Sequence, residues 1–403
     1  GKGSSWMAMA LAVACLSSGG NGNGALAFLP THHHHHHLVN FDDDDDITHS
    51  SSRYKHKKQK AKQRMKVGVL AIMGQAISST QFYLYGRQHF TQTGYAKHMK
   101  KYTGPVQSSA SIKVGDEGAD GVSMDGRVVV ITGANSGVGK ELATYAAAKN
   151  AKVYMLCRSK ERAEKARQEI VESTSNENIN ILLADLGELE EVRRVTSELQ
   201  AKEDKVDVLV CNAGILCNDK RMTKEGNELT FALHLLGGTY LLSQLLIPQL
   251  EAAKETSRVI ITTSGGMYNA KFPDWATATS SEGASHKYDG QFAYSYAKRG
   301  QVLYAEEMTK AKPDIKWVTT HPGWTMTPAV DDAYGDNKKY LEPMRTPWEG
   351  AEGIAWLMGA KKDDLEGGEL YLDRKTSPKH LAGPAFSEGS FTKNSREEVN
   401  EMM

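Results

Sequence analysis

Residues 128–140, VVVITGANSGVGK, run from an apolar β-type segment through a glycine-rich turn into a helix. Gly133 allows the tight turn, while Gly137 and Gly139 leave no side chain between the backbone and a bound pyrophosphate. Asn135, Ser136 and Val138 complete the turn. The helix that follows aims its free N–H groups and positive dipole end at the same anion. A dinucleotide is the occupant such a turn suits. A glycine turn alone is weak support, because ordinary strand-turn-helix connections also use glycine. Its flanks decide the reading: Glu141–Lys149 has an amphipathic helical pattern, and Lys152–Cys157 reads as a second strand.

Outward from this turn the pattern alternates. Strands are predicted at Val128–Ile131, Lys152–Cys157, Asn180–Ala184, Val206–Cys211, Arg258–Thr263, Lys316–Thr320 and Glu369–Leu372. Helices are predicted between them at Lys160–Ser173, Leu189–Lys202, Glu228–Ala252, Tyr294–Lys310 and Trp348–Met358. Short, continuously apolar strands alternating with helices predict an α/β fold with a single doubly wound parallel sheet of Rossmann type. The expected organisation is a targeting leader (1–65), an N-terminal extension and linker (66–122), the Rossmann domain (123–380) and a C-terminal tail (381–403).

The hydrophobic share of 40% supports a large core, and Lys+Arg and Asp+Glu both number 49. That balance leaves no global field for nucleic acid or an anionic membrane. The basic run Arg53–Lys66 is the one local feature that suits nucleic acid, and it lies in the expected leader. Four cysteines (15, 157, 211 and 217) lack zinc-like spacing, and two fall in predicted strands, so they read as free buried thiols. No metal site is assigned; His32–His37, beside the acidic run Asp42–Asp46, reads as low complexity.

Met7–Leu16 is an apolar run too short to span a bilayer, and Ala25-Leu26-Ala27 follows it as an A-x-A pattern. Together they predict a secretory signal peptide cleaved before Phe28. The Phe after the junction resembles the bipartite leaders of algae with secondary plastids, which implies plastid import. The acidic run departs from that class, leaving the endoplasmic reticulum as the alternative destination. Val67–Tyr85 suits a helix lying against a membrane or against the main domain, a route to peripheral membrane or complex association.

The second strand ends in Cys157-Arg158, where NAD-binding sites usually carry an acid for the ribose 2′-hydroxyl. A cation there, with Lys140 near the turn, suits a 2′-phosphate and predicts NADP(H). Asp185, just after the third strand, reads either as an adenine contact or as a helix N-cap, with Leu186 beside it. Asn212-Ala213-Gly214 follows another apolar strand, and its small residues leave room beside a cofactor.

Five Tyr-x-x-x-Lys strings start at Tyr54, Tyr145, Tyr294, Tyr334 and Tyr371. Only the one at Tyr294 opens a long helix downstream of a strand ending in a hydroxyl residue, Ser264. Spaced four apart on a helix, Lys298 can lower the Tyr294 phenol, which then exchanges a proton with a carbonyl or hydroxyl oxygen while hydride moves to or from nicotinamide. Ser264, at the carboxyl end of its strand, either hydrogen-bonds the substrate oxygen or caps a turn.

TGANSGVG (132–139), CNAG (211–214), Ser264, YSYAK (294–298) and HPGWTMTP (321–328) together resemble the short-chain dehydrogenase/reductase superfamily in order and spacing. FYLYGRQHFTQTGY (82–95), TTSGGM (262–267), HPGW and LDRK (372–375) look like its member 12 subgroup, over roughly residues 82–382. The resemblance implies catalytic roles for Ser264, Tyr294 and Lys298. It also places Pro322, Gly323 and Thr327 beside the nicotinamide and implies a homodimer paired through the long central helices. One departure stands out. The family's fourth catalytic position, an Asn on the central helix, is His234 within FALHLLGG (231–238). His234 reads equally as a member of the proton relay or as a core histidine satisfied by a backbone carbonyl.

The polar segment after Ser264, with Met267, Phe272 and Trp275, is expected to form a substrate lid with Trp324 and the loop after Pro328. Its aromatic residues favour a lipophilic carbonyl or alcohol. The expected function is NADP(H)-dependent carbonyl–alcohol interconversion. The alternative is a catalytically weak nucleotide-binding scaffold or redox-sensing subunit of a larger assembly.

Overall fold

The computed structural model describes residues 77–102, 122–279, 288–382 and 387–403. The expected leader (1–65), most of the linker and residues 280–287 of the expected lid lie outside the described residues. The chain divides into two units, 1–80 and 81–403, and of the first only the helical residues 77–80 are described.

In the second unit, helical residues 81–89 and the helix Gln92–Met99 precede the sheet. The strands are β1 (Val128–Thr132), β2 (Lys152–Cys157), β3 (Ile179–Leu183), β4 (Val208–Cys211), β5 (Arg258–Thr262), β6 (Lys316–Thr320), β7 (Leu370–Leu372) and β8 (Lys375–Ser377). Their spatial order is β3-β2-β1-β4-β5-β6-β7-β8, parallel through β7, with β8 antiparallel at the edge. The doubly wound parallel sheet read from the sequence is therefore the fold. The addition is β8, whose KTS gives no apolar signal.

Alternation along each strand feeds two cores. Val128, Val130, Leu209, Val259 and Ile261 pack on one face, and Val129, Ile131, Val208, Val210 and Ile260 on the other. Helices cover both faces, which is why both faces of the central strands are buried. Chain order reverses between β1 and β4, so the crevice beyond their carboxyl ends is the topological switch point.

The predicted helix Glu228–Ala252 is not uniform. It starts as Leu229–Phe231, widens to a π-helix over Ala232–Leu241, returns to α over Leu242–Leu245, and restarts as Ile247–Ala252 with Pro248 in its first turn. Pro248 lacks the N–H that would continue the earlier helix.

The helical residues after 80 lie against the main domain. Phe82 and Phe90 meet Trp324 at ring-centroid distances of 6.3 and 6.0 Å, and Tyr85 meets Tyr268 at 5.8 Å.

Candidate active site

The glycine turn leaves β1 toward the helix Gly137–Ala148. Gly133 has φ +67°, and a Cβ on Gly139 would stand 2.3 Å from the Gly133 carbonyl oxygen and 2.6 Å from Asn212 Nδ2. Glycine is thus required both by conformation and by close approach. Ser136 is the helix N-cap, yet its side chain makes no cap hydrogen bond. The first-turn N–H groups, with Gly137 and Val138 among them, therefore remain available to an anion. This bare backbone cradle fits a dinucleotide pyrophosphate.

Thr132, which the sequence reading passed over, joins the two sides of the crevice. Its hydroxyl accepts the N–H groups of Asn212 (2.9 Å) and Ala213 (2.8 Å), and Asn212 Nδ2 donates to the Thr132 carbonyl at 3.1 Å. Its position as the first letter of TGAN was the available signal. Gly214 lies against the His234 ring, where an added Cβ would stand 2.5 Å from Cε1. Asn135 borders Cys157: the backbone N–H groups of Ala134 and Asn135 face that thiol, and burial pushes it up to about 11.

At the far end of the crevice, Arg158 is 57% exposed and pairs with Asp185 at 3.6 Å. Asp185 accepts the Gly187 N–H at 3.0 Å, while Glu188 is the cap of the following helix, so the expected N-cap role of Asp185 gives way to a local turn. Leu186 is buried in the core, its carbonyl against Gly237. Lys140, the other cation near the turn, is paired with Glu169.

Ser264 follows β5 and caps a 3₁₀ turn, accepting the Gly266 N–H at 3.2 Å. Tyr294 and Lys298 lie on the helix Gly290–Ala311, which Asp289 caps. Burial raises the Tyr294 phenol, and a hydrogen bond with the Ser264 side chain opposes that rise. Lys298, 3% exposed, donates from Nζ to the Thr262 carbonyl at 2.8 Å and stands 5.6 Å from the Tyr294 ring centroid. Its own value falls to about 7 because burial penalises the ammonium. The expected lowering of the phenol by Lys298 is therefore not what dominates here; desolvation of both groups does. Thr263 Oγ1, donating to the Lys298 carbonyl at 2.8 Å, locks this helix to the strand end.

His234 sits where the helix is wound as π. Its Nε2 donates to the Ile215 carbonyl at 2.7 Å, and burial pushes its pKa well below the usual histidine value. That is the core-histidine arrangement, with the ring edge-on to Tyr294 at 5.2 Å. Gly323 has φ +74°, Thr325 donates to the Pro322 carbonyl at 2.8 Å, and Thr327 caps the helix Pro328–Tyr334. The Thr327 methyl reaches Gly137, where an added Cβ would stand 3.1 Å from Cγ2. The turn after β6 and the turn after β1 thus meet across the crevice. Of the residues expected to line a lid, Met267, Phe272 and Trp324 are buried in packed clusters, whereas Trp275 is exposed.

The profile of the short chain dehydrogenase family matches residues 127–338. The chain belongs to the short-chain dehydrogenase/reductase family. It is similar to dehydrogenase/reductase SDR family member 12 of Homo sapiens, with 32% identity over 289 residues, 71% of this chain and 89% of that protein. Retinol dehydrogenase 12 of Homo sapiens is 31% identical over 204 residues, 50% of this chain and 62% of that one. Among solved structures, a short-chain dehydrogenase/reductase from Brucella melitensis superposes with a TM-score of 0.50 at 21% identity, covering 62% of this chain and 95% of that chain, which bears on the fold. As a member of this family, the protein is an oxidoreductase acting on a small molecule.

Proposed function

We propose that the protein uses NADP(H) to interconvert a carbonyl and an alcohol on a lipophilic substrate. The convergence of Ser264, Tyr294 and Lys298 beside the glycine turn carries this reading. The bound nicotinamide supplies or accepts the hydride. Tyr294 exchanges a proton with the substrate oxygen at its hydroxyl, Ser264 Oγ steadies that oxygen, and Lys298 Nζ holds the nicotinamide ribose. Arg158, standing where an acid would favour NAD, supports the 2′-phosphorylated cofactor. The retinol in one relative's name supports a lipophilic alcohol, as do the exposed Met326 and Phe292, neighbours in sequence of Thr327 and Tyr294.

The test is a panel of aliphatic, aromatic and isoprenoid carbonyls assayed by NADPH oxidation with the pure protein. Turnover with NADPH well above NADH is expected. Tight NADPH binding with no turnover on any member would favour the scaffold reading, to which the inward-tied His234 lends support. Arg158→Glu should narrow or invert the NADPH preference by about tenfold or more, the scale of one charge-assisted contact. Equal preference in that variant and the parent would remove Arg158 from the cofactor site. Gly139→Ala should weaken NADPH binding by roughly tenfold or more, because its methyl meets the turn backbone. Intrinsic fluorescence titration reads this directly.

A further inference from the structure

β6 passes the chain into His321-Pro322-Gly323, and β5, its neighbour, into Ser264-Gly265. One ring lies between these two turns. His321 is 4% exposed, and its Nδ1 accepts the Gly323 N–H at 2.6 Å, which fixes the ring proton on Nε2. That Nε2 is buried without a hydrogen-bond partner among the described residues. It lies against Gly265, where an added Cβ would stand 2.7 Å away. Burial, with the Arg345 charge second, pushes His321 down to about 3, so the ring is neutral and its tautomer constant at ordinary pH.

The ring is backed by the N-terminal extension. Phe90 stacks on it with centroids 4.1 Å apart and planes 27° apart. Phe82 and Phe90 close the same space over Gly265, at 2.6 and 2.8 Å from a Cβ placed there. The backbone is tied as well. The Phe90 carbonyl accepts both the Trp324 N–H at 2.8 Å and Arg345 Nε at 3.0 Å. Arg345 Nη2 reaches the His89 carbonyl at 2.8 Å, and the guanidinium lies directly against Gly323.

We propose that His321, clamped by Phe82 and Phe90, is a positioning residue of the hydride-transfer site: its Nδ1 sets the Pro322–Gly323 turn and its ring sets the Ser264–Gly265 turn. This rests on the oxidoreductase reading above. The first turn is expected at the nicotinamide and the second carries the residue expected at the substrate oxygen. The ring between them fixes the distance over which hydride and proton move together. A displacement on the order of 1 Å costs about 10²-fold in rate.

The test compares His321→Phe, which keeps a stacking ring but loses the acceptor for Gly323, with His321→Asn, whose Oδ1 restores an acceptor close to Nδ1. Phe90→Leu removes the stack while leaving His321 in place. Each is assayed for kcat and KM with NADPH and a carbonyl from the panel, for NADPH dissociation constant, and for melting temperature by circular dichroism. The expected result is a kcat lowered about 10²-fold in His321→Phe, a partial recovery in His321→Asn, and a smaller kcat loss in Phe90→Leu with the substrate KM little changed. Folded His321→Phe with parental kcat overturns the proposal, as does equal loss in Phe and Asn. Should His321→Phe fail to fold, parental kcat in Phe90→Leu overturns it. A parent protein that neither binds NADPH nor turns over any carbonyl sinks the oxidoreductase reading itself and takes the positioning role with it.

Discussion

Tyr294→Phe should lower turnover by about 10²–10⁴-fold, the range for loss of a positioned general acid or base, while NADPH affinity stays nearly intact. The substitution removes one oxygen and nothing else. The ring keeps its edge contact with His234 and its packing against Gly266, so the crevice wall is unchanged. What is lost is the hydroxyl that hydrogen-bonds Ser264 and the only phenolic proton beside Lys298 within the Ser-Tyr-Lys set. Steady-state NADPH oxidation and fluorescence titration on the same preparation separate chemistry from binding. Unchanged turnover would remove Tyr294 from the mechanism.

Asp373→Asn should destabilise the fold by about 3–5 kcal/mol, as when one partner of a buried ion pair is lost. Arg345 is wholly buried and binds Asp373 through two hydrogen bonds of 2.5 and 2.8 Å, and His98 adds a third at 2.8 Å. Without the carboxylate the guanidinium keeps a buried charge facing backbone carbonyls and the Tyr95 ring but no counter-charge in contact among the described residues. Asn is the informative replacement because Asp373 has φ +52°, a conformation that Asn tolerates and Ala resists. Burial pushes the Asp373 carboxyl up, but Arg345 and His98 together hold it below the usual carboxylate range. A depressed folded value adds stability above the unfolded pKa of about 3.9, lost as pH falls through the folded value. The parent should therefore lose stability below about pH 4 more steeply than Asp373→Asn. Chemical denaturation across that range gives both quantities; matching curves would show that the pair contributes nothing.

The seven parallel strands were readable because most carry a run of apolar residues between turn residues, as VVVI, VYML and VII do, the pattern a doubly covered sheet favours. β8 was not, since Lys375–Ser377 pairs by backbone alone. The π-helix was hidden for a related reason. A continuous apolar stretch such as Ala232–Leu241 carries no periodicity from which to tell four residues per turn from fewer. At the site, motif positions such as Gly139, Asn212, Ser264 and Tyr294 could be named, because their spacing along the chain carries the meaning. Partners could not. That Glu169 takes Lys140, that Ile215 takes His234 and that Thr132 bridges two strand ends are facts of tertiary contact. Phe272 and Trp324, expected at a lid, are buried while Trp275 is exposed, because composition cannot tell an inward ring from an outward one.

The contact between Phe90 and Arg345 spans 255 positions of the chain. A ribosome adds about 5–20 residues each second. On the order of ten to fifty seconds therefore separates the emergence of the Phe90 helix from that of the arginine that anchors it. Throughout that interval the aromatic faces of Phe82, Tyr85 and Phe90 have no finished surface to meet. These rings thus stay open to self-association until Arg345 and the segments around it have been made.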